Sequence, residues 1–233
     1  MPSPFLLIFL PVILSSVWAC PPEQSIAPAC ICKDFGDGAM MICSNITSAE
    51  ELVPYIKTTD SLDMFALTIM ESTLLYIPSS VFKNTKYQKI LFLNTQLMSL
   101  TDGDLAFEGL EDRLEELRAI DAHYITQWDW SQLRYHRLCC PVWQRELEII
   151  DLSGNLLTSL PEDMFHRMPN LKQVELNHNK FVTLNEETFS WAFQHLQTMM
   201  FIGNDFRCDC RMKWIVDIKS VYISRAHVPC QKI

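Results

Sequence analysis

A stretch that repeats itself constrains a chain more than its composition does, because every copy has to solve the same folding problem. Residues 147–170 read LEIIDLSGNLLTSLPEDMFHRMPN, and residues 171–195 read LKQVELNHNKFVTLNEETFSWAFQH. In register the two share apolar residues at offsets 0, 3, 5, 10 and 13, with Asn at offset 8. The first copy uses Leu147, Ile150, Leu152, Leu157 and Leu160 with Asn155; the second uses Leu171, Val174, Leu176, Phe181 and Leu184 with Asn179. A third opens at Leu196, with Met199, Phe201, Asn204 and Phe206. Weaker copies precede them. One has Met64, Leu67, Ile69, Leu74 and Ile77, with Ser72 at the Asn position. Another has Tyr87, Ile90, Phe92, Leu97 and Leu100, with Thr95 there. Leu114 and Leu117 open a further copy whose later slots, Ala119, Ala122 and Gln127, are filled poorly. Starts at 64, 87, 114, 147, 171 and 196 leave their longest interval after 114, which places an insertion near 125–146.

Elementary geometry gives this pattern a shape. Ile150 and Leu152 lie two apart, so on a short strand they share one face, which turns inward. The Asn side chain satisfies backbone groups where the chain turns inside the core, a place where unpaired amides are costly. Pro161 and the polar residues after it lead the chain around the outside to Phe165. One repeat cannot cover its own apolar face, so the repeats stack into a curved solenoid. The pattern L-x-x-L-x-L-x-x-N-x-L-x-x-L resembles the extracellular leucine-rich repeat family, over about residues 20–233 and most specifically over 147–210. The resemblance implies an α/β solenoid of horseshoe shape. Short parallel strands would line the concave face, and irregular or short helical segments the convex side.

A solenoid has two raw apolar ends that need covers. Cys20, Cys30, Cys32 and Cys43 precede the repeats, and four cysteines by themselves allow three pairings. They are similar to the family's N-terminal cap, whose order implies Cys20–Cys32 and Cys30–Cys43. NDFRCDCRMKWI, residues 204–215, is similar to the start of the C-terminal cap, with Trp214 and Ile215 on a short helix over the end of the core. A zinc site would want a second close pair or nearby His ligands beside Cys208 and Cys210. A redox pair would want C-x-x-C. The family cap has four cysteines and this segment has three, so family order implies Cys208–Cys230, with Cys210 lacking its usual partner and the cap reading as truncated. Cys139 and Cys140 lie in the inserted segment; a bridge between them would be strained, so bridging elsewhere or burial as free thiols is expected.

The division of the chain follows. Residues 1–19 read as a secretory signal peptide: an apolar run over 5–14, then Val17-Trp18-Ala19. A lipoprotein signal ending at Cys20 is the rival, and the absence of basic residues before the run speaks against it. Residues 20–61 are the N-terminal cap and lead-in, 62–203 about six repeats, and 204–233 the C-terminal cap. The expected localisation is secreted and extracellular, with no membrane insertion after signal cleavage. Nine cysteines agree with an oxidising compartment, and one must be left over or pair with another chain. A net charge of −9 disfavours nucleic acid as a partner. Asn45-Ile46-Thr47 is an N-glycosylation sequon.

Chemistry is sparse. No nucleophile elbow, phosphate loop or H-E-x-x-H occurs. The six histidines are scattered, at 123, 136, 166, 178, 195 and 227. No catalytic residue, metal ligand or cofactor is expected. The strand residues at offsets 2, 4 and 6 should instead face outward and bind a protein. Met70, Leu91, Leu93, Arg118 and Ile120 give that face a mostly apolar first half, and Asp151, Glu175 and Asn177 an acidic and polar second half. The expected partner inserts apolar groups at Leu91 and Leu93 and sets a basic group near Asp151 and Glu175. The resemblance implies recognition, adhesion or matrix roles; a structural subunit of a disulfide-linked assembly, such as a dimer, is the alternative.

Overall fold

The alternation shared by the repeats becomes a parallel sheet. The computed structural model describes residues 20–218 except 37, 138, 139, 144, 163, 166, 167 and 208, with backbone alone at 127, 134–137, 140–143, 216 and 217. The expected signal peptide, the Cys208–Cys230 bridge and the pairing of Cys139 and Cys140 therefore lie outside the described residues. The strands are β1 (Cys30–Asp34), β2 (Ala39–Ser44), β3 (Met64–Met70), β4 (Thr73–Leu74), β5 (Lys89–Leu93), β6 (Gln96–Leu97) and β7 (Glu116–Ile120). They continue with β8 (Arg134–Arg137), β9 (Cys140–Trp143), β10 (Ile149–Asp151), β11 (Gln173–Glu175) and β12 (Thr198–Met200). Among the described residues one eight-stranded sheet runs β1-β2-β3-β5-β7-β10-β11-β12. The β1–β2 pair is antiparallel, and every later neighbour in that sheet is parallel. The helices are α1 (Glu23–Ile26), α2 (Ala49–Lys57), α3 (Glu186–His195) and α4 (Trp214–Asp217), with short 3-10 turns between repeats. This is the leucine-rich repeat solenoid that the spacing predicts.

The inward residues are those the offsets name. Leu67 and Ile69, Ile90 and Phe92, Leu117 and Ala119, Ile150 and Leu152, Val174 and Leu176, Met199 and Phe201 are all buried in one continuous core. Each Asn reaches back into the preceding repeat. Asn179 Nδ2 donates to Leu152 O at 2.9 Å, and its Oδ1 accepts from Leu157 N at 3.0 Å. Asn204 does the same with Leu176 O at 2.8 Å and Phe181 N at 3.1 Å. In the weaker repeats hydroxyls take the place: Thr95 Oγ1 donates to Ile69 O, and Ser72 Oγ accepts from Ile46 N. Asn155 is the most heavily used, donating to Ala119 O and Leu152 O and accepting from Ala122 N, all at 2.8 Å. Replacing it by alanine should destabilise the protein by about 1–3 kcal/mol, because several buried backbone groups lose their partner. Urea denaturation measures this, and an unchanged midpoint would show that water replaces the amide.

The third repeat departs from expectation. Ala119 and Ala122 are buried and leave volume that Ile125, Trp128 and Leu133 fill, all within the segment expected to be an insertion. Trp128 Nε1 donates to Leu97 O at 2.7 Å, so the ring spans two repeats. Part of the insertion is thus core, because two small residues cannot fill a slot sized for leucines.

Both ends are covered. Disulfides join Cys30 to Cys43 across the β1–β2 hairpin and Cys20, ahead of α1, to Cys32 on β1. Ser48 caps α2 by accepting from Glu51 N, while the Glu51 carboxylate reaches back to accept from Thr47 N just before the cap, and the two bonds fix the helix start. At the other end Met212 and Ile215 are buried, and Trp214 Nε1 donates to Leu184 O at 3.1 Å.

Candidate functional site

Because side chains alternate along a strand, burying one set exposes the other on the concave face. Strand register lines these residues into rows that cross the sheet. One row runs Ile31, Ile42, Thr68, Leu91, Arg118, Asp151, Glu175 and Met200. A second, nearer the strand ends, runs Ser44, Met70, Leu93 and Ile120. The structure thus brings seven of the eight expected face residues into two adjacent rows, and Asn177 follows just beyond β11. Ile31 and Ile42 were not expected there. The period-two pattern of AMMICS, with Ala39, Met41 and Cys43 buried, carried the signal that Met40 and Ile42 face outward.

The two halves of the face differ in chemistry. In the first, Ile31 is 49% exposed, and Ile42, Met70, Leu91, Leu93 and Ile120 are half-buried on adjacent strands. In the second, the charges are already spoken for. Glu116 contacts both Lys89 Nζ, at 2.7 Å, and Arg118 Nε. Arg118 Nη1 donates to Asp151 Oδ2 at 2.9 Å and lies 3.8 Å from Glu175 Oε1. Glu175 also accepts from Gln173 Nε2 at 2.6 Å, and Asp151 is buried, with 3% exposure. The basic group expected from a partner near Asp151 and Glu175 is therefore Arg118 of the chain itself. Asp151 and Glu175 are register neighbours on β10 and β11, and the charge partner of Asp151 is Arg118, 33 residues away in the chain.

Burial pushes the Glu116 carboxyl up, but hydrogen bonds and charge from Lys89 and Arg118 outweigh that and hold it below the usual carboxylate range. A depressed folded value means that its contribution to stability is present above the unfolded pKa and lost as pH falls through the folded value. The protein should thus lose stability on acidification below about pH 4, and Glu116→Gln should flatten that dependence. Melting curves between neutral and strongly acidic pH test this; identical pH profiles for variant and wild type would exclude Glu116 as a contributor. Among the described residues no three His, Cys, Asp or Glu side chains cluster to hold a metal ion.

A family model described as leucine rich repeat matches residues 145–199. Over 148 residues the chain is 27% identical to the transforming growth factor beta activator LRRC33 of Danio rerio, covering 64% of this chain and 19% of that protein. Over 88 residues it is 32% identical to the oligodendrocyte-myelin glycoprotein of Homo sapiens, covering 36% of this chain and 20% of the relative. The chain spans about a fifth of the length of these two curated relatives. Among solved structures, human 5T4 (trophoblast glycoprotein) superposes with a TM-score of 0.45 at 16% identity, over 81% of this chain and 84% of that one.

Proposed function

The chain is a leucine-rich repeat protein, and from that premise we propose that it is a secreted binding module rather than an enzyme. Its partner is another protein, held on the apolar half of the concave face, in extracellular recognition, adhesion or matrix assembly. The observation that carries this reading is the row arrangement itself: Leu91, Leu93, Met70 and Ile120 are neighbours on β3, β5 and β7, Ile31 and Ile42 continue the face on the other side of the buried Thr68, and all six are partly open to solvent. An apolar patch of this kind on a secreted surface favours a partner that covers it. Most of the charge of the neighbouring strip is paired internally by Lys89 and Arg118, so it gives register and selectivity more than attraction. Secretion is supported by the two cap disulfides, which persist in oxidising compartments.

The test begins with capture of extracellular proteins on the mature chain and identification of what binds. Leu91→Ser and Leu93→Ser are then measured against Leu156→Ser, which changes an exposed leucine outside both rows. The face variants should each weaken binding about tenfold, equivalent to 1.4 kcal/mol, and the control should not. Wild-type affinity in folded face variants would place the site elsewhere. A second reading, a disulfide-linked assembly, is favoured by one observation: Cys210 is exposed and joined to no other cysteine among the described residues. A non-reducing gel distinguishes the two, since a dimer band lost on reduction and absent from Cys210→Ser supports assembly.

A further inference from the structure

At offset 7 of every repeat, and likewise after the cap strand β2, the backbone turns left-handed directly after the last outward residue. The series is Asn45 (φ 57°), Glu71 (49°), Asn94 (48°), Asp121 (53°), Gly154 (71°), His178 (52°) and Gly203 (75°). These residues form a rim along one edge of the concave face, stepped from strand to strand. Hydrogen bonds fix the steps: Glu71 N donates to Leu93 O, and Asn94 N to Ile120 O. Asn45 holds the rim position beside Ser44, whose register neighbours are Met70 and then Leu93. It is exposed, and Ile46 and Thr47 complete a glycosylation sequon. Asn94 lies on the same rim, but Gln96 occupies the place where a hydroxyl is required.

We propose that an N-linked oligosaccharide on Asn45 stands over the strand-end rim of the apolar half and regulates access to it. This deepens the binding reading above and rests on it. In the attachment, Nδ2 of Asn45 forms a bond to C1 of the first sugar. The C1–O bond to a lipid-diphosphate-oligosaccharide donor breaks, the lipid diphosphate leaves with the electron pair, and the amide loses one proton to a base. Leu93 lies two strand spacings from Asn45, about 10 Å, within reach of the first sugars of such a chain. A bulky, hydrated glycan there covers Met70 and Leu93 first. A partner then enters from the opposite edge, across Lys89 and the Phe65 ring beneath it. Ile202, at the far end of the sheet, stays uncovered and 44% exposed.

The full chain, secreted from eukaryotic cells, is labelled with a photolysed diazirine before and after native treatment with peptide-N-glycosidase F. Labelling of Met70 and Leu93 should rise severalfold on removal of the sugar, with Ile202 unchanged as the internal reference. Thr47→Ala should behave as the deglycosylated protein, while Thr47→Ser, which keeps both the sequon and a hydroxyl toward Glu51, should behave as wild type. No sugar on the peptide holding Asn45 overturns the proposal, and so does a sugar whose removal leaves Met70 and Leu93 labelling unchanged. Neither readout needs a partner, so failure here is distinct from failure of the Leu91→Ser binding test.

Discussion

Phe201→Ala should lower the unfolding free energy by about 3–5 kcal/mol, the range for removing a large buried aromatic ring. Phe201 is 1% exposed. Its ring lies 6.2 Å from that of Phe181, 5.7 Å from Phe189, 6.1 Å from Phe193 and 5.8 Å from Phe206. Those four belong to the preceding repeat, the convex helix α3 and the lead into the C-terminal cap, so no single rigid shift can close the cavity. Most of the contacts are edge-on or tilted, which adds to the loss beyond area alone. A solenoid is held by neighbour-to-neighbour interfaces, so the damage should stay local at first. Hydrogen exchange should therefore show residues after about 171 opening while the N-terminal strands stay protected. Phe35→Ala, at a site 62% exposed, should change stability by less than about 0.5 kcal/mol. Chemical denaturation compares the two. Equal midpoints for Phe201→Ala and wild type would mean that the aromatic cluster does not hold the last repeats together.

The second large effect is expected at the opposite end. Replacing Cys30 and Cys43 together by alanine should cost about 2–5 kcal/mol. The bridge closes a separation of 13 residues and ties β1 to β2, the pair that continues the sheet past β3. Both cysteines are buried, Cys43 completely and beside Ile69 of β3, so their loss also leaves space in the core. The Cys20–Cys32 bridge spans a similar 12 residues but joins half-buried residues, so its removal should cost less. Denaturation of the two double variants under non-reducing conditions ranks them. A Cys30–Cys43 variant that unfolds with wild type would show that packing of the hairpin alone covers the end.

Much of this fold was legible because the decisive information is local and repeated. An apolar residue two positions from another must share its strand face, so Ile150 with Leu152 and Val174 with Leu176 set the inward side without knowledge of neighbours. The outward residues follow by alternation, and the offsets then align Leu91 with Arg118 and Asp151 across the sheet. The left-handed rim was legible too, though unread: Asn45, Asn94, Asp121, Gly154 and Gly203 are residue types that tolerate positive φ, recurring at one offset. At Gly154 the need is concrete, since a Cβ would lie 2.0 Å from Asp121 Oδ1.

By itself, then, the sequence determined the solenoid, the strand register and which side chains face the concave surface, since all of these follow from periodicity within a repeat. Only the tertiary structure decided what that surface is chemically. The shared offset sets Arg118 beside Asp151, but only the structure shows their side chains joined in an ion pair with Asp151 buried, so that the acidic site the sequence suggests is occupied from within. Ile31 and Ile42 extend the apolar half because the cap hairpin adds its strands to the sheet. Trp128 and Leu133 complete a repeat whose own residues are too small to fill it. In each case the outcome depends on contacts between segments far apart in the chain, and a pattern repeated every two dozen residues carries no record of which neighbour supplies the charge or the volume.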